Sequence, residues 1–128
     1  MKEIAIKENH LYGKTYKSGK RFVGKYVAVY TLRDLKAKKL RAANPEKEFV
    51  NRLGISVSKK VGGAVVRNRA KRVIRAAYRD HKDGLLRGNL IVISARGAIV
   101  GVKSTEVRRE LGIAFQKLGL CSPETNGS

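Results

Sequence analysis

The sequence of 128 residues predicts an α+β fold, in which helices and strands pack around one core. Residues 52–58 alternate between apolar and small polar side chains, the pattern of a strand with one buried face. Residues 89–95 are apolar almost throughout, as expected of a central strand. Apolar residues recur at helical spacing in 64–81 and again in 104–118. The predicted order is helix, two or three strands, helix, strand, helix, within one domain that covers residues 1–120.

The first element is predicted to be a short helix. Residues 7–18 place Tyr12 and Tyr16 one helical turn apart, on one side of the segment. Gly19 follows, and glycine is the residue that most often ends a helix. A helix over 7–18 that ends at this glycine is therefore expected, although Gly13 lowers its intrinsic stability.

Two candidate strands follow this helix. Residues 25–32 are rich in aromatic and β-branched side chains and predict the stronger strand, while residues 20–23 predict a short one. Residues 33–51 are polar and basic and contain Pro45. We interpret this segment as an exposed connection; a helical excursion supported by its leucines is the alternative.

The second half of the chain predicts two longer helices. Residues 59–63 form a glycine-containing turn, after which the helix 64–81 begins. Residues 94–101 are interpreted as a loop, and Ser104 is predicted to cap the last helix. The residues expected to bury its apolar side are Val107, Leu111, Ala114 or Phe115, and Leu118. The polar residues 121–128 are expected to form a disordered tail.

The net charge limits the partners of this chain. Lysine and arginine total 29 against 10 aspartate and glutamate, so the formal net charge is +19. Such a field attracts polyanions, and nucleic acid is favoured over an anionic membrane because the apolar faces are needed for the core. No apolar run is long enough for a membrane span and no signal peptide is evident, so a cytoplasmic protein is expected. The single Cys121 excludes an intrachain disulfide and a cysteine-rich zinc site.

The helix 64–81 has two faces of opposite character. With ~3.6 residues per turn, a sector of roughly 100° holds the apolar residues Val66, Ala70, Val73, Ile74 and Ala77, which should face the core. On the opposite side, a sector about 140° wide holds Arg67, Asn68, Lys71, Arg72, Arg75 and Arg79. Arg69 lies at the flank of the apolar stripe.

The basic side of this helix predicts binding of a polyanion. Four cations follow one another at i,i+4 spacing without an acidic residue before Asp80: Arg67, Lys71, Arg75 and Arg79. Like charges at this spacing repel, whereas exposed helix faces usually alternate lysine with glutamate. A phosphate backbone would compensate this repulsion, and guanidinium groups bind phosphate oxygens bidentately. A solvated helix face without a partner is the alternative.

Two motifs follow each other in the middle of the chain. Ser-Lys-Lys-x-Gly occupies residues 58–62 and Arg-Asn-Arg-x-Lys-Arg occupies residues 67–72, within RLGISVSKKVGGAVVRNRAKRVIRAAYR. This combination closely resembles the signature of the bacterial ribonuclease P protein component. The resemblance extends upstream to the tyrosines of the first predicted helix and downstream to NLIVISARGA, and so covers nearly the whole chain.

The resemblance implies a fold and a function. Members of this family bind a large catalytic RNA, which removes the 5′ leader from precursor tRNA. Their fold is an α/β sandwich around a mixed four-stranded sheet (ribosomal protein S5 domain 2-like), with a left-handed strand–helix–strand crossover that breaks the usual right-handed rule. The expected partners are this catalytic RNA and precursor tRNA, with no membrane and no obligate protein partner. The protein is expected to bind no cofactor, while the RNA of the holoenzyme requires Mg²⁺.

The resemblance also implies two binding surfaces. Residues expected to bind the catalytic RNA are Arg52, Lys59, Lys60, Arg67, Asn68, Arg69, Lys71, Arg72, Arg75 and Arg79. Residues expected to bind the leader, in a cleft between the first helix and the sheet, are Tyr12, Tyr16, Tyr30, Ser56 and Ser58. Stacking of unpaired bases on aromatic rings needs no particular base sequence, which suits an enzyme that processes many leaders. Core packing of the three tyrosines is the alternative.

The chain shows no set of residues typical of an active site of its own. His10 and His81 have no second histidine or carboxylate cluster near them in the sequence. The aspartates Asp34, Asp80 and Asp83 lack the paired spacing of a two-metal nuclease. No catalytic residue and no metal site is therefore predicted in the protein.

Two other functions are compatible with the composition. A ribosomal or chaperone-like RNA-binding protein would share the charge and the fold class, and would differ only in the full motif. A helix-turn-helix DNA-binding protein would need two adjacent short helices, whereas a β-patterned segment precedes the helix 64–81. The motif favours a ribonuclease P subunit over both.

Overall fold

The computed structural model describes residues 4–6, 9–33, 51–81, 84–85 and 88–120. In chain order its elements are β1 (Ile4–Ala5), α1 (Asn9–Ser18), β2 (Lys20–Val23), β3 (Val27–Arg33), β4 (Arg52–Ser56), α2 (Ala64–Arg79), β5 (Asn89–Ala95) and α3 (Ser104–Lys117). A 3-10 turn, Gly97–Ile99, lies in the segment predicted as a loop. The predicted order is confirmed, with the two-residue β1 placed before it. The predicted tail, and all but the ends of the predicted 33–51 connection, lie outside the described residues.

The strands form one mixed sheet in the order β1-β4-β5-β3-β2. β4 is parallel to β5, and β5 is antiparallel to β3, as β3 is to β2. The four predicted strands are therefore present, and β1 extends the sheet by pairing in parallel with β4. Helix α2 connects the parallel neighbours β4 and β5, and the left-handed sense of this crossover stays a prediction.

The sheet separates two apolar layers of different size. Helices α2 and α3 cover one face, where Ile91 and Ile93 of β5 join a cluster with Ile74 and Phe115. Helix α1 covers the other face, where Ile6, Leu11, Leu90 and Val92 form a second cluster of buried apolar residues. Side chains alternate between faces along a strand, so the continuous apolar run of β5 is explained by burial on both sides.

Helix α1 ends at a close approach to the sheet. The Gly19 amide donates to the Thr15 carbonyl at 3.0 Å, and Thr15 is fully buried. A Cβ atom at position 19 would collide with the backbone carbonyl oxygens of Thr15 and Thr31. Glycine at this position is therefore required by the close approach of α1 to β3, in addition to ending the helix.

Helix α3 begins one residue earlier than its predicted cap implies. The prediction that Ser104 caps α3 is wrong, since Lys103 occupies the N-cap position in extended conformation and no side chain caps the helix by hydrogen bonding. The predicted buried residues of α3 are confirmed, and Ala114 and Phe115 are both fully buried.

The β2–β3 hairpin is held by two side chains from other elements. The strands are connected by Gly24, Lys25 and Tyr26, and the Gly24 amide donates to the Val27 carbonyl at 2.9 Å. Glu110 Oε1 of α3 accepts from the amides of Tyr26 and Val27, each at 2.9 Å. On the other side of the loop, Arg96 Nη1 donates to the Gly24 carbonyl at 2.9 Å. The loop conformation is thus fixed by an acceptor from α3 and a donor that follows β5.

Aromatic contacts join α2 to α3. Phe115 meets Tyr78 edge to face with ring centroids 6.2 Å apart, and meets His81 in the same manner at 5.7 Å. The Nε2 atom of His81 lies 2.8 Å from the Arg108 carbonyl, where a protonated Nε2 donates. His81 therefore connects the end of α2 to α3 through a ring contact and a hydrogen bond.

Candidate nucleic-acid interface

The outward side of α2 carries a dense array of cations. Asn68, Arg72, Arg75 and Arg79 are exposed, while Ala70, Ile74, Ala77 and Tyr78 are buried. We call the five cations Arg67, Lys71, Arg72, Arg75 and Arg79 the α2 ridge. Lys59 and Lys60 are exposed in the turn before α2, so they continue this basic surface beyond the start of the helix.

The buried side of α2 is rotated from the predicted one. Tyr78 is only 3% exposed and was missing from the predicted apolar side. Tyr78 packs edge to face against Phe115, and Arg67 and Lys71, which lie on the same side of the helix, are half-buried. The Nε atom of Arg67 is buried without a hydrogen-bond partner among the described residues. The placement of Arg67 on the face away from the core is therefore wrong.

Arg52 does not belong to the basic surface of α2. It lies in β4 opposite Leu90 of β5 and is only 4% exposed. Leu53 faces α2 and α3, so alternation turns the side chain of Arg52 to the α1 side of the sheet. The side chain of Arg52 is therefore buried on the face opposite α2, apart from the other residues predicted to bind the catalytic RNA, and its binding to that RNA stays a prediction.

The side chain of Arg69 points away from the α2 ridge. Its side chain is exposed, and Nη2 donates to the carbonyl of Val102, just before α3, at 3.4 Å. The two arginines of the Arg-Asn-Arg motif, Arg67 and Arg69, therefore point to different sides of α2.

The three predicted tyrosines meet on the α1 side of the sheet. Tyr12 lies over Gly54 of β4, where a Cβ atom would be 2.7 Å from its ring. Tyr16 meets Tyr30 of β3 edge to face, with ring centroids 4.8 Å apart. Tyr12 and Tyr30 are half-buried and Tyr16 is 36% exposed, so each ring combines packing with accessible surface. We call the surface formed by these three side chains and the sheet beside them the tyrosine cleft.

Burial changes the acid–base character of one of these tyrosines. It raises the pKa of the Tyr12 hydroxyl above its ordinary value, and repulsion from Tyr16 acts in the same direction. The hydroxyl therefore stays protonated around neutral pH and can donate a hydrogen bond.

The strand register places a row of mostly short side chains on the sheet beside the tyrosines. Val92 and Tyr30 are neighbours across β5 and β3, in line with Gly54 of β4. Two residues further along, the same face carries the row Ser56, Ser94, Ala28 and Val23. The predicted leader residue Ser56 lies in this row, and the exposed Ser58 follows it beyond β4. Ser94 and Ala28 were not predicted, although the period-two spacing from Val92 and Tyr30 identifies them.

The described residues contain no assembled metal site. No group of three or more histidine, cysteine, aspartate or glutamate side chains in this part of the chain could hold a metal ion. Asp80 lies 3.6 Å from Arg108 in an exposed ion pair between α2 and α3. No helix in the described ranges is long and apolar enough to span a membrane.

Comparison with protein families identifies the family to which this chain belongs. The family model described as Ribonuclease P matches residues 1–119. The chain belongs to the ribonuclease P protein family. Members of this family are the protein subunit of ribonuclease P, the enzyme of tRNA 5′ maturation, and their partner is the RNA subunit.

Several relatives support this membership. The ribonuclease P protein component of Clostridium acetobutylicum is 36% identical over 120 residues, covering 94% of this chain and 92% of the relative. That of Macrococcus caseolyticus is 38% identical over 110 residues, covering 86% and 85%. The solved ribonuclease P protein of Staphylococcus aureus is 30% identical with a TM-score of 0.72, covering 94% of this chain and all of that one. The ribonuclease P protein fold of this chain is therefore established. A helix-turn-helix motif would need a second short helix directly before α2, and the strand β4 precedes α2 instead.

Proposed function

We propose that the α2 ridge, with Lys59 and Lys60, binds the RNA subunit of ribonuclease P. We further propose that the tyrosine cleft holds the single-stranded 5′ leader of precursor tRNA. The observation that carries this proposal is the separation of two surfaces by one sheet, cationic on α2 and aromatic beside α1. Two RNA molecules can then be held at once without competing for the same residues.

The α2 ridge has the chemistry of a surface that binds structured RNA. Its guanidinium groups are positioned by a helix whose other side is buried in the core, so little conformational freedom is lost on binding. Backbone phosphates offer the planar, bidentate acceptors that arginine prefers. Such contacts fix the position of an RNA without reading its sequence.

The tyrosine cleft has the chemistry of a surface that binds unpaired bases. Exposed ring surface on Tyr16 and the half-buried rings of Tyr12 and Tyr30 can stack on bases of any identity. The short side chains of Ser56 and Ala28 leave room beside the rings, and the serine hydroxyl can accept or donate hydrogen bonds. A paired helix would be too wide to place its bases on these rings.

In this proposal the RNA subunit performs the cleavage and requires Mg²⁺, and the protein supplies no catalytic residue. Its cations offset repulsion between the RNA subunit and precursor tRNA, which Mg²⁺ would otherwise have to screen. The holoenzyme acts in the cytoplasm and needs no further protein.

The proposed function is tested by pre-tRNA cleavage at graded Mg²⁺ concentrations, with the RNA subunit alone and with the protein added. The protein should lower the Mg²⁺ concentration required for cleavage. A ribosomal or chaperone-like RNA-binding protein would leave this requirement unchanged, and that result would refute the proposal.

Replacing Tyr16 by alanine should weaken the affinity of the holoenzyme for leader-bearing precursor tRNA by about 1–3 kcal/mol, the range for loss of one stacked base. Affinity for mature tRNA should not change, because mature tRNA has no leader to stack. Tyr16→Phe keeps the ring and should resemble the unmodified protein. Equilibrium binding of both tRNAs to the three holoenzymes measures this, and equal losses for both tRNAs would mean that Tyr16 only packs against Tyr30.

A further inference from the structure

Strand β2 forms one edge of the sheet, and among the described residues β3 is the one strand paired with it. The Gly24 amide donates to the Val27 carbonyl, so these two residues form a hydrogen-bonded pair. Hydrogen-bonded and non-hydrogen-bonded pairs alternate along an antiparallel ladder. The backbone N–H and C=O groups of Phe22 are therefore directed to β3, whereas those of Arg21 and Val23 are directed away from the sheet. These outward groups are where a further strand would pair with β2.

The side chains of β2 change from basic to apolar along the strand. Lys20 and Arg21 are exposed, and neither lies within ion-pair distance of a carboxylate in the described ranges. Phe22 is half-buried, and Val23 is 55% exposed. Arg21 and Val23 lie on the α1 side of the sheet, and Lys20 and Phe22 lie on the α3 side, because side chains alternate along a strand. Each side of this edge therefore carries one cation and one apolar side chain.

Helix α3 adds to the α3 side of this edge. Its residue Glu110 accepts from the amides of the hairpin loop that follows β2, and the helix contacts β2 itself. Ile113 and Lys117 come three and seven residues after Glu110, so they lie on the same side of the helix. Ile113 is 45% exposed and Lys117 is exposed. The combination of an apolar side chain with a cation is thus repeated beside the strand.

The charge of this edge indicates what kind of strand fits it. Cations on an edge strand oppose pairing between two copies of one chain, and this chain has a net charge of +19. A phosphate backbone would attract the cations, but it offers no apolar surface to Val23 and Ile113 and no alternation of N–H and C=O groups. An extended acidic polypeptide supplies the negative charge, the apolar side chains and the backbone pairing together.

We propose that the outer edge of β2 binds an extended acidic segment of another protein, which joins the sheet as an additional strand. In the antiparallel arrangement, two apolar residues of this segment lie opposite Val23 and Phe22. Two acidic residues follow, opposite Arg21 and Lys20. The edge uses no residue of the α2 ridge, and its partner is not needed for RNA cleavage. It would instead attach the ribonuclease P subunit to another protein.

The test uses the full chain, free and assembled with the RNA subunit, and the synthetic peptide acetyl-Thr-Val-Ile-Glu-Glu-Thr-amide. A control peptide carries N-methyl groups on the valine and on the first glutamate. These groups remove the N–H donors that would pair with Val23 and Arg21, and they leave the charge unchanged. Arg21→Glu reverses one charge at the edge. Lys14→Glu, at an exposed position of α1, is the matched control for the change in net charge.

Amide hydrogen exchange of the full chain, followed by NMR, should identify the paired strand. At a peptide concentration ten times its Kd, exchange of the Arg21 and Val23 amides should slow about tenfold, since only about one chain in eleven stays unbound. The Phe22 amide, which already faces β3, should change little. The N-methylated peptide should bind about tenfold more weakly, because two backbone hydrogen bonds are lost.

Reversal of one charge should distinguish the edge from the general positive charge of the protein. Arg21→Glu should weaken peptide binding about tenfold, because a like charge then lies opposite the glutamate of the peptide. Lys14→Glu makes the same change in net charge and should bind the peptide nearly as well as the unmodified chain. The assembled holoenzyme should bind the peptide with the affinity of the free protein.

Three results would overturn the inference. The first is equal binding of the N-methylated peptide, which would mean that net charge alone attracts it. The second is slower exchange confined to amides outside β2, which would assign the peptide to another surface. The third is loss of peptide binding in the assembled holoenzyme, which would assign this edge to RNA. None of these results bears on the Mg²⁺ requirement for cleavage, which tests the proposed function separately.

Discussion

Raising the NaCl concentration from about 50 to about 200 mM is expected to weaken binding of the protein to the RNA subunit by about 10³-fold. The α2 ridge together with Lys59 and Lys60 provides seven cations, of which about six are expected to contact phosphates. Each contact releases counterions from the RNA, so log K should fall against log salt with a slope of about −4 to −6. Filter binding or fluorescence titration across salt concentrations measures this slope.

Single substitutions test whether the α2 ridge accounts for the slope of log K against log salt. Arg72→Ala removes an exposed cation and should reduce the magnitude of the slope by about one while lowering affinity by roughly 1–3 kcal/mol. Arg109→Ala removes an equally exposed cation from α3 and should change neither quantity. A slope near −1 for the unmodified protein would show that the ridge does not contact phosphates as a group. Because Arg67 is half-buried, its replacement by alanine should also lower stability, so Arg72 is the cleaner probe.

Gly54→Val is expected to destabilise the protein by about 3 kcal/mol, at the upper end of the range for an overfilled core. A Cβ atom at position 54 would lie 2.7 Å from three atoms of the Tyr12 side chain, and valine adds two further methyl groups. Position 54 is in β4, with β1 on one side and β5 on the other, so the strand has little freedom to retreat. Thermal unfolding should show a decrease in Tm on the order of 10 °C.

The double substitution Tyr12→Ala with Gly54→Val distinguishes this clash from a general intolerance of β4. Removing the tyrosine side chain leaves space for the valine, which also has a higher strand propensity than glycine. In the Tyr12→Ala background, valine at position 54 should therefore cost much less than in the unmodified protein, or stabilise it. Equal costs in both backgrounds would mean that Tyr12 does not rest on Gly54.

Elements whose burial follows one simple period were predictable from the sequence. The bounds of β5, Asn89–Ala95, agree with the prediction because its apolar run is buried on both faces and is bounded by polar residues. The burial of Leu111 and Phe115 in α3 followed in the same way from helical spacing. The cap of α3 was less predictable, because a serine side chain near a helix start can face solvent without accepting the capping bond.

The site residues that were misplaced depend on contacts between distant segments. Arg52 is buried because β4 has neighbours on both edges and α1 lies on the same face, and no local pattern at position 52 shows this. Tyr78 is buried by Phe115, and its burial decides which side of α2 Arg67 occupies. The meeting of Tyr16 with Tyr30 also requires the antiparallel register of β3 and β5 and the docking of α1, although the family motif indicated it.

The two apolar layers differ in size, and this difference should affect the local opening of the fold. In the described ranges, the cluster beneath α2 and α3 contains 18 buried residues, whereas the cluster beneath α1 contains four. Local opening costs least where little apolar surface is buried, so amide hydrogens of α1 should exchange with solvent faster than those of α2. If α1 can move away from the sheet at low free-energy cost, the space between them could adjust to a purine or to a pyrimidine. In the proposed function, the small layer under α1 would allow the tyrosine cleft to accept nucleotides of different size, while the larger layer would keep the cations of α2 at fixed spacing.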